Sequence, residues 1–167
     1  VPESIFNSQV LAKGGKKPMA NSKLEKYIRR DMKVSQEIQQ RHLEVKSPVL
    51  GLVSDQTLGN KDFALSWWPI SEPFEMVSEP HAHDFDQFLI FVGGDLKNMT
   101  DLGGEVELTL GENENELEKF VFTTATTVYI PAGLLHNPLN FKKVNDPNKP
   151  ILFQDFFFSR EYKRKEK

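Results

Sequence analysis

Two of the four histidines in this chain are spaced for a common task. His81 and His83 are separated by a single residue. On an extended strand, residues i and i+2 project from the same face, so the two imidazoles stand side by side, as adjacent ligands of one metal ion do. Gln87 has the same parity and joins that face if the strand runs on regularly. His136 lies far downstream, in Pro131-Ala-Gly133-Leu-Leu-His136. Imidazole suits Zn²⁺, Ni²⁺, Cu²⁺ and Fe²⁺. The chain has no cysteine, which excludes disulfides, thiolate ligands and a Cys nucleophile. By itself a His-x-His pair is weak evidence, since two ordinary core or surface histidines give the same spacing. His42 falls at the end of a predicted helix and is given no role.

Two further side chains are candidates for catalysis. Asp155 interrupts an apolar strand, Ile151-Leu-Phe-Gln-Asp155-Phe-Phe-Phe158. A carboxylate buried there needs a partner or a raised pKa, and either suits it to general acid or base work. At an edge facing water, that argument falls away. Tyr129 is the second candidate. It sits with Trp67, Trp68, Phe91 and Phe153 on predicted strands near the histidine segments, where each aromatic has plain core packing as its competing role. Asp84 and Asp86 have the parity opposite to His81 and His83. They serve either as acceptors that orient ligand histidines or as solvent-facing carboxylates.

These residues sit in a chain with strong β texture. From residue 49 onward, short apolar runs alternate with turn residues: 49–53, 62–70, 74–78, 86–92, 105–110, 116–123, 126–130, 134–141 and 151–158. Many short strands punctuated by Gly, Pro, Asn and Asp predict a sandwich or barrel. The 13 phenylalanines, many at strand positions, suit pleated, half-buried surfaces. The acidic stretch 111–119 reads as a solvated hairpin tip, without the spacing of a calcium loop. Upstream, residues 22–41 are predicted as a surface helix opened by a capping box, Ser22-Lys-Leu-Glu25. The organisation expected is an N-terminal arm and helix over 1–48, one β-barrel over 49–160 and a charged tail over 161–167 that solvent surrounds.

Composition narrows the function classes. The net charge of −3 over 167 residues offers no basic field for nucleic acid. No apolar run is long enough to span a membrane. The N-terminus lacks the basic and apolar blocks of a secretory signal, so a cytoplasmic location is expected.

Taken together, the two histidine segments resemble the two motifs of the cupin superfamily. His81-Ala-His83-Asp-Phe-Asp-Gln87 leading to Gly93-Gly94 is similar to the first motif. Pro131-Ala-Gly133-Leu-Leu-His136-Asn-Pro-Leu-Asn140 fits the second, Pro-x-Gly-x-x-His-x-x-x-Asn. They occur in the family's order with strands between them. The resemblance implies an all-β, cupin-type jelly-roll barrel, here with an N-terminal helix, and a metal held inside by His81, His83, His136 and residue 87. Glu75 and Ala125 replace the motifs' upstream glycines. Asn140 is then structural.

The main departure is Gln87, where the family carries Glu. A Gln brings a neutral carbonyl oxygen in place of a carboxylate. Three imidazoles and an amide leave the divalent charge uncompensated, which disfavours Mn²⁺, retains Zn²⁺, Ni²⁺ or Fe²⁺, and raises Lewis acidity. Alternatively, Gln87 hydrogen-bonds a metal-bound water and the site has three histidine ligands. Two functions stay open. One is a metal-dependent enzyme acting on a small oxygenated organic molecule by isomerase, cyclase, lyase or dioxygenase chemistry. The other is a non-catalytic module binding a small ligand or metal. Fold cannot choose between them. Members of the family commonly pair through sheet edges, so a homodimer is expected.

Overall fold

The computed structural model describes residues 23–165. Nine strands occur among them: β1 Leu50–Val53, β2 Ala64–Ile70, β3 Phe74–Val77, β4 Gln87–Gly93, β5 Asp101–Gly111, β6 Leu117–Thr124, β7 Thr126–Ile130, β8 Leu135–Val144 and β9 Ile151–Phe157. Each corresponds to one of the apolar runs. β5 begins earlier and β8 ends later than their apolar cores, because ladder pairing extends into flanking polar residues such as Asp101 and Lys143.

All strand pairs are antiparallel. One sheet has the order β1-β2-β9-β4-β7 and the other β3-β8-β5-β6. The two sheets enclose the core of an all-β jelly-roll barrel. Strands β2 and β4 alternate strictly between buried and half-buried residues, the period of two expected of a sheet with distinct faces. Inside, Phe91 stacks on Phe153 with centroids 4.9 Å apart, and Phe141 lies tilted against both. Phe141 is wholly buried, and truncating such a ring to Ala costs about 3–5 kcal/mol. Gly93 ends β4 where the chain leaves for the other sheet. A Cβ there would collide with the Asp101 carbonyl oxygen, so no other residue fits that close approach.

The outer face of the five-stranded sheet is also apolar. Leu65, Phe156, Phe88 and Tyr129 are in register across β2, β9, β4 and β7, all half-buried or exposed.

The N-terminal helix is not found as expected. Among residues 23–41 there are only a 3₁₀ turn, Glu25–Tyr27, and one helical turn, α1 Gln36–Gln39, capped by Ser35. Ser22 and the arm before it lie outside the described residues. The patchy apolar face is the physical reason. Leu24, Tyr27 and Ile28 stay exposed, and only Ile38 is buried. A surface helix draws most of its stability from a packed face, and this segment has too little of one. Part of the segment pairs with β1 instead, with Val34 N–H donating to the Val49 carbonyl and Gly51 N–H to that of Met32. No helix among the described residues is long and apolar enough to cross a membrane. The acidic tip between β5 and β6 is exposed, as expected.

Candidate metal centre

The three histidines converge, and the backbone explains how. His81 and His136 form an isolated antiparallel bridge, with N–H···O distances of 3.1 and 3.0 Å in the two directions. Pro131–Leu134 is a tight turn closed by Leu134 N–H to the Pro131 carbonyl, with Gly133 at φ +92°. A type II turn requires that sign of φ at its third residue, which only glycine adopts without strain. Gly133 N–H then donates to the His83 carbonyl at 2.8 Å. The two histidine segments are thus stitched together on both sides of the cluster. Just beyond, His136 and Asn137 are consecutive buried residues, and the ladder with β5 shifts register between Leu108 and Leu110. Such a bulge re-aims a side chain beside a site.

The ring geometry is one that could hold a metal ion. The imidazole centroids lie 4.6–5.0 Å apart, and one ligand nitrogen from each ring falls within 4.8 Å of the others. Every Nδ1 faces a backbone carbonyl: His81 that of Glu79 at 3.1 Å, His83 that of Lys163 at 2.5 Å and His136 that of Leu134 at 3.1 Å. A carbonyl only accepts, so each Nδ1 carries the proton and each Nε2 presents a lone pair. The Nε2 atoms of His83 and His136 are buried without a hydrogen-bond partner, and that of His81 faces the Tyr162 hydroxyl at 3.3 Å. Burial, more than any neighbouring charge, lowers the pKa of all three, His83 to about 4 and His136 to about 3. They are therefore neutral at ordinary pH and ready to ligate.

Gln87 completes the set from a different direction. The chain turns between His83 and β4, so strand parity does not operate across that stretch. Gln87 instead faces inward as the first residue of β4. Its Nε2 donates to Asp155 Oδ1 at 2.8 Å, and its Oε1 is buried with no partner. A carboxylate cannot donate, so Asp155 fixes which end of the amide points away from it. Three buried acceptor atoms without donors are costly and fit a cation. His81, His83 and His136, with Gln87 Oε1 as the fourth donor, are the residues that would hold it.

Beside the cluster is a cavity of about 360 Å³, lined by Gln87, His136, Asp155, Tyr162 and apolar side chains including Trp68, Leu89, Leu139 and Phe153. Asp155 is paired on the barrel interior and is not at a water-facing edge. Burial raises its carboxyl to about 6, with the Gln87 hydrogen bond pulling the other way. Trp68 and Phe153 line the cavity, and Phe91 lies in the core beneath.

Tyr129 does not reach the site. It is half exposed on the outer face, where its hydroxyl donates to Asp86 at 3.1 Å. Position 129 has the outward parity of β7, so a catalytic role there is corrected. Trp67 likewise has the outward parity of β2. Asp86 ties β4 to the turn after β7, also accepting from Ala132 N–H, and Asp84 is exposed.

Sequence reasoning missed the role of residues 160–165. Residues 161 and 163–165 are exposed, as a charged tail should be, but Tyr162 is turned inward and the backbone of 163–165 runs along the histidine segment. Lys165 N–H donates to the Ala82 carbonyl at 2.7 Å, and the Tyr162 ring packs on His83, Phe85 and Phe157. Burial pushes the Tyr162 hydroxyl pKa up, so it remains a proton donor. A lone aromatic inside the charged run Arg160-Glu-Tyr162-Lys-Arg164-Lys was the available signal. His42, to which the sequence assigns no role, lines the cavity and packs edgewise on Trp68.

No known family model matches the sequence, and no curated protein matches it. Among solved structures, similarity is found to oxalate decarboxylase from Bacillus subtilis. The form at pH 4.6 has 15% identity and a TM-score of 0.49 over 76% of this chain. An oxalate decarboxylase structure reported for its substrate binding mode has 16% identity and a TM-score of 0.47 over the same share. A structure of the Bacillus subtilis protein reported for its Mn(II) centres has 15% identity and a TM-score of 0.47. This chain spans about 30% of the length of those chains.

Proposed function

We propose that this chain is a metal-dependent cupin enzyme acting on a small oxygenated organic molecule. One observation carries the reading: three neutral imidazoles cluster beside an inward amide oxygen, with His83 Nε2, His136 Nε2 and Gln87 Oε1 buried without donors, at the edge of a cavity of about 360 Å³. A structural histidine cluster needs no adjoining cavity, and a storage module needs no proton-bearing groups facing it. Here Asp155 and Tyr162 both line it.

A divalent ion in this site would act as a Lewis acid on a substrate carbonyl or carboxylate oxygen. The rest falls to the chain's own residues. Asp155, with its pKa raised to about 6, can take or return a proton at Oδ2 while Oδ1 accepts from Gln87. Tyr162 O–H offers a hydrogen-bond donor at the cluster's edge. Apolar side chains and the folded-back tail line the cavity. The all-neutral donor set favours Zn²⁺, Ni²⁺ or Fe²⁺ over Mn²⁺ and the redox-neutral branch of chemistry, since no carboxylate stands at position 87.

The test is elemental mass spectrometry on protein purified without oxygen or chelator. About one zinc, nickel or iron per chain, lost in His136→Ala and reduced in Gln87→Ala, is the expected result. A wild-type protein that is empty and takes up no added metal overturns the reading.

A further inference from the structure

We infer that the cavity takes an organic anion, a carboxylate with an apolar body, whose charged head is received by Arg164 and Arg41; the inference rests on the metal-site reading and names its substrate class. Both guanidinium-bearing residues line the cavity, from opposite ends of the sequence. Arg164 arrives on the segment folded over the histidines, two residues beyond Tyr162. Arg41 arrives on the segment just after α1.

The partners of the two differ in a telling way. Arg41 is only loosely held, 3.8 Å from Glu37, with both groups largely exposed. Among the described residues, Arg164 has no ion pair and no side-chain hydrogen bond. A surface arginine without a partner is ordinary. Arg164 is exposed, yet it lines the pocket beside the neutral imidazoles, where it is positioned to meet an incoming charge, and its planar fork matches a carboxylate.

Charge balance gives the second argument. Of the cavity's two acidic residues, Glu79 is exposed at the mouth and Asp155 is already engaged by Gln87. The candidate ligands are all neutral. A divalent ion held by them would keep its full charge in a buried place, and buried charge needs a counter-charge. The protein supplies none in the ligand set. An anionic ligand supplies it, and the two arginines add to its attraction. The remaining lining, Trp68, Met76, Leu89, Leu139 and Phe153, suits an apolar body, and the volume suits a small molecule.

Trp68 gives a direct readout. The chain has two tryptophans, and Trp67 lies on the outer face. A Trp67→Phe protein therefore reports the cavity through Trp68 fluorescence, without any assay of turnover. The probes are straight-chain carboxylates from acetate to octanoate and phenylacetate, against 2-phenylethanol and phenethylamine, on metal-free and on zinc-loaded protein. Expected are saturable quenching by at least one carboxylate, at least tenfold weaker binding of the alcohol and amine, and at least tenfold loss in Arg164→Gln with partial recovery in Arg164→Lys. Metal content and the thermal midpoint should be unchanged in both variants. Equal binding of alcohol, amine and acid overturns the inference, as does no binding by any carboxylate, or an Arg164→Gln protein that binds as wild type. If wild type takes up no metal, the metal reading has failed separately. The carboxylate arm on metal-free protein then decides this inference alone, through the same comparison of Arg164 variants.

Discussion

Gln87 Nε2 donates to Asp155 Oδ1 at 2.8 Å, and this bond aims the one neutral oxygen at position 87 into a place with no donor. Through Gln87, Asp155 would thereby orient a ligand of any metal held there. Asp155→Ala frees the amide to rotate and should weaken metal binding by about 10–100-fold, the usual effect of removing an orienting partner. Gln87→Glu should do the opposite for hard ions, raising Mn²⁺ affinity relative to Zn²⁺. Calorimetric titration of both metals into the three proteins measures this. An Asp155→Ala protein with unaltered affinity would rule out the orienting role.

Gly133→Ala tests the turn that positions His136. The added methyl meets nothing within 4 Å, so any effect comes from the backbone at φ +92°. Left-handed backbone costs a non-glycine residue about 1–2 kcal/mol, and relief of that strain moves the Gly133–His83 hydrogen bond. The expected result is a stability loss of about that size in urea together with reduced metal uptake. Loss of stability alone would show that the turn is not coupled to the ligands.

Stability of the metal-free protein should depend on pH with a definite sign. His83 and His136 have folded pKa values near 4 and 3, below their ordinary 6.5, and His81 is also lowered. The unfolded chain therefore binds more protons once pH falls below 6.5, and stability drops. Each histidine contributes at most about 2 kcal/mol at pH 5. Asp155 opposes this, because its folded value near 6 exceeds the ordinary 3.8, so the folded state gains its proton first. Urea midpoints should fall from pH 7 to pH 5 in wild type and fall more steeply in Asp155→Asn. Parallel curves for the two proteins would contradict the assigned role of Asp155.

The row Leu65–Phe156–Phe88–Tyr129 places an apolar stripe on the outside of the five-stranded sheet. Phe88 and Tyr129 rings lie 5.1 Å apart, and Tyr129 and Phe158 are each about half exposed. Large exposed apolar patches mark interaction surfaces, and a second copy of this face is its expected partner. Sedimentation should give a dimer for wild type and a monomer for Phe88→Lys, with metal uptake retained. A wild-type monomer at high concentration would exclude this pairing.

The nine strands were legible in the sequence, because alternation and turn residues are local properties that the ladders preserved. Spacing alone set His81 beside His83, and the resemblance of Pro131–Asn140 to the second cupin motif added His136; the bridge that brings His136 to His81 joins distant segments. Sequence reasoning misjudged residues 22–41, since a capping signal and a sparse apolar face do not hold a helix that lacks a surface to pack on. Tyr129 and Trp67 were assigned by proximity in sequence, while the parity that turns them outward is set by ladder register. Gln87 reached the site through the start of a new strand and not through continued parity. Other features needed the folded chain: the Gln87–Asp155 hydrogen bond, the docking of Tyr162 on His83, and the placing of Arg41 and Arg164 at one cavity. Each joins segments far apart in the chain, and such contacts follow from how the sheets close on each other, which no local pattern encodes.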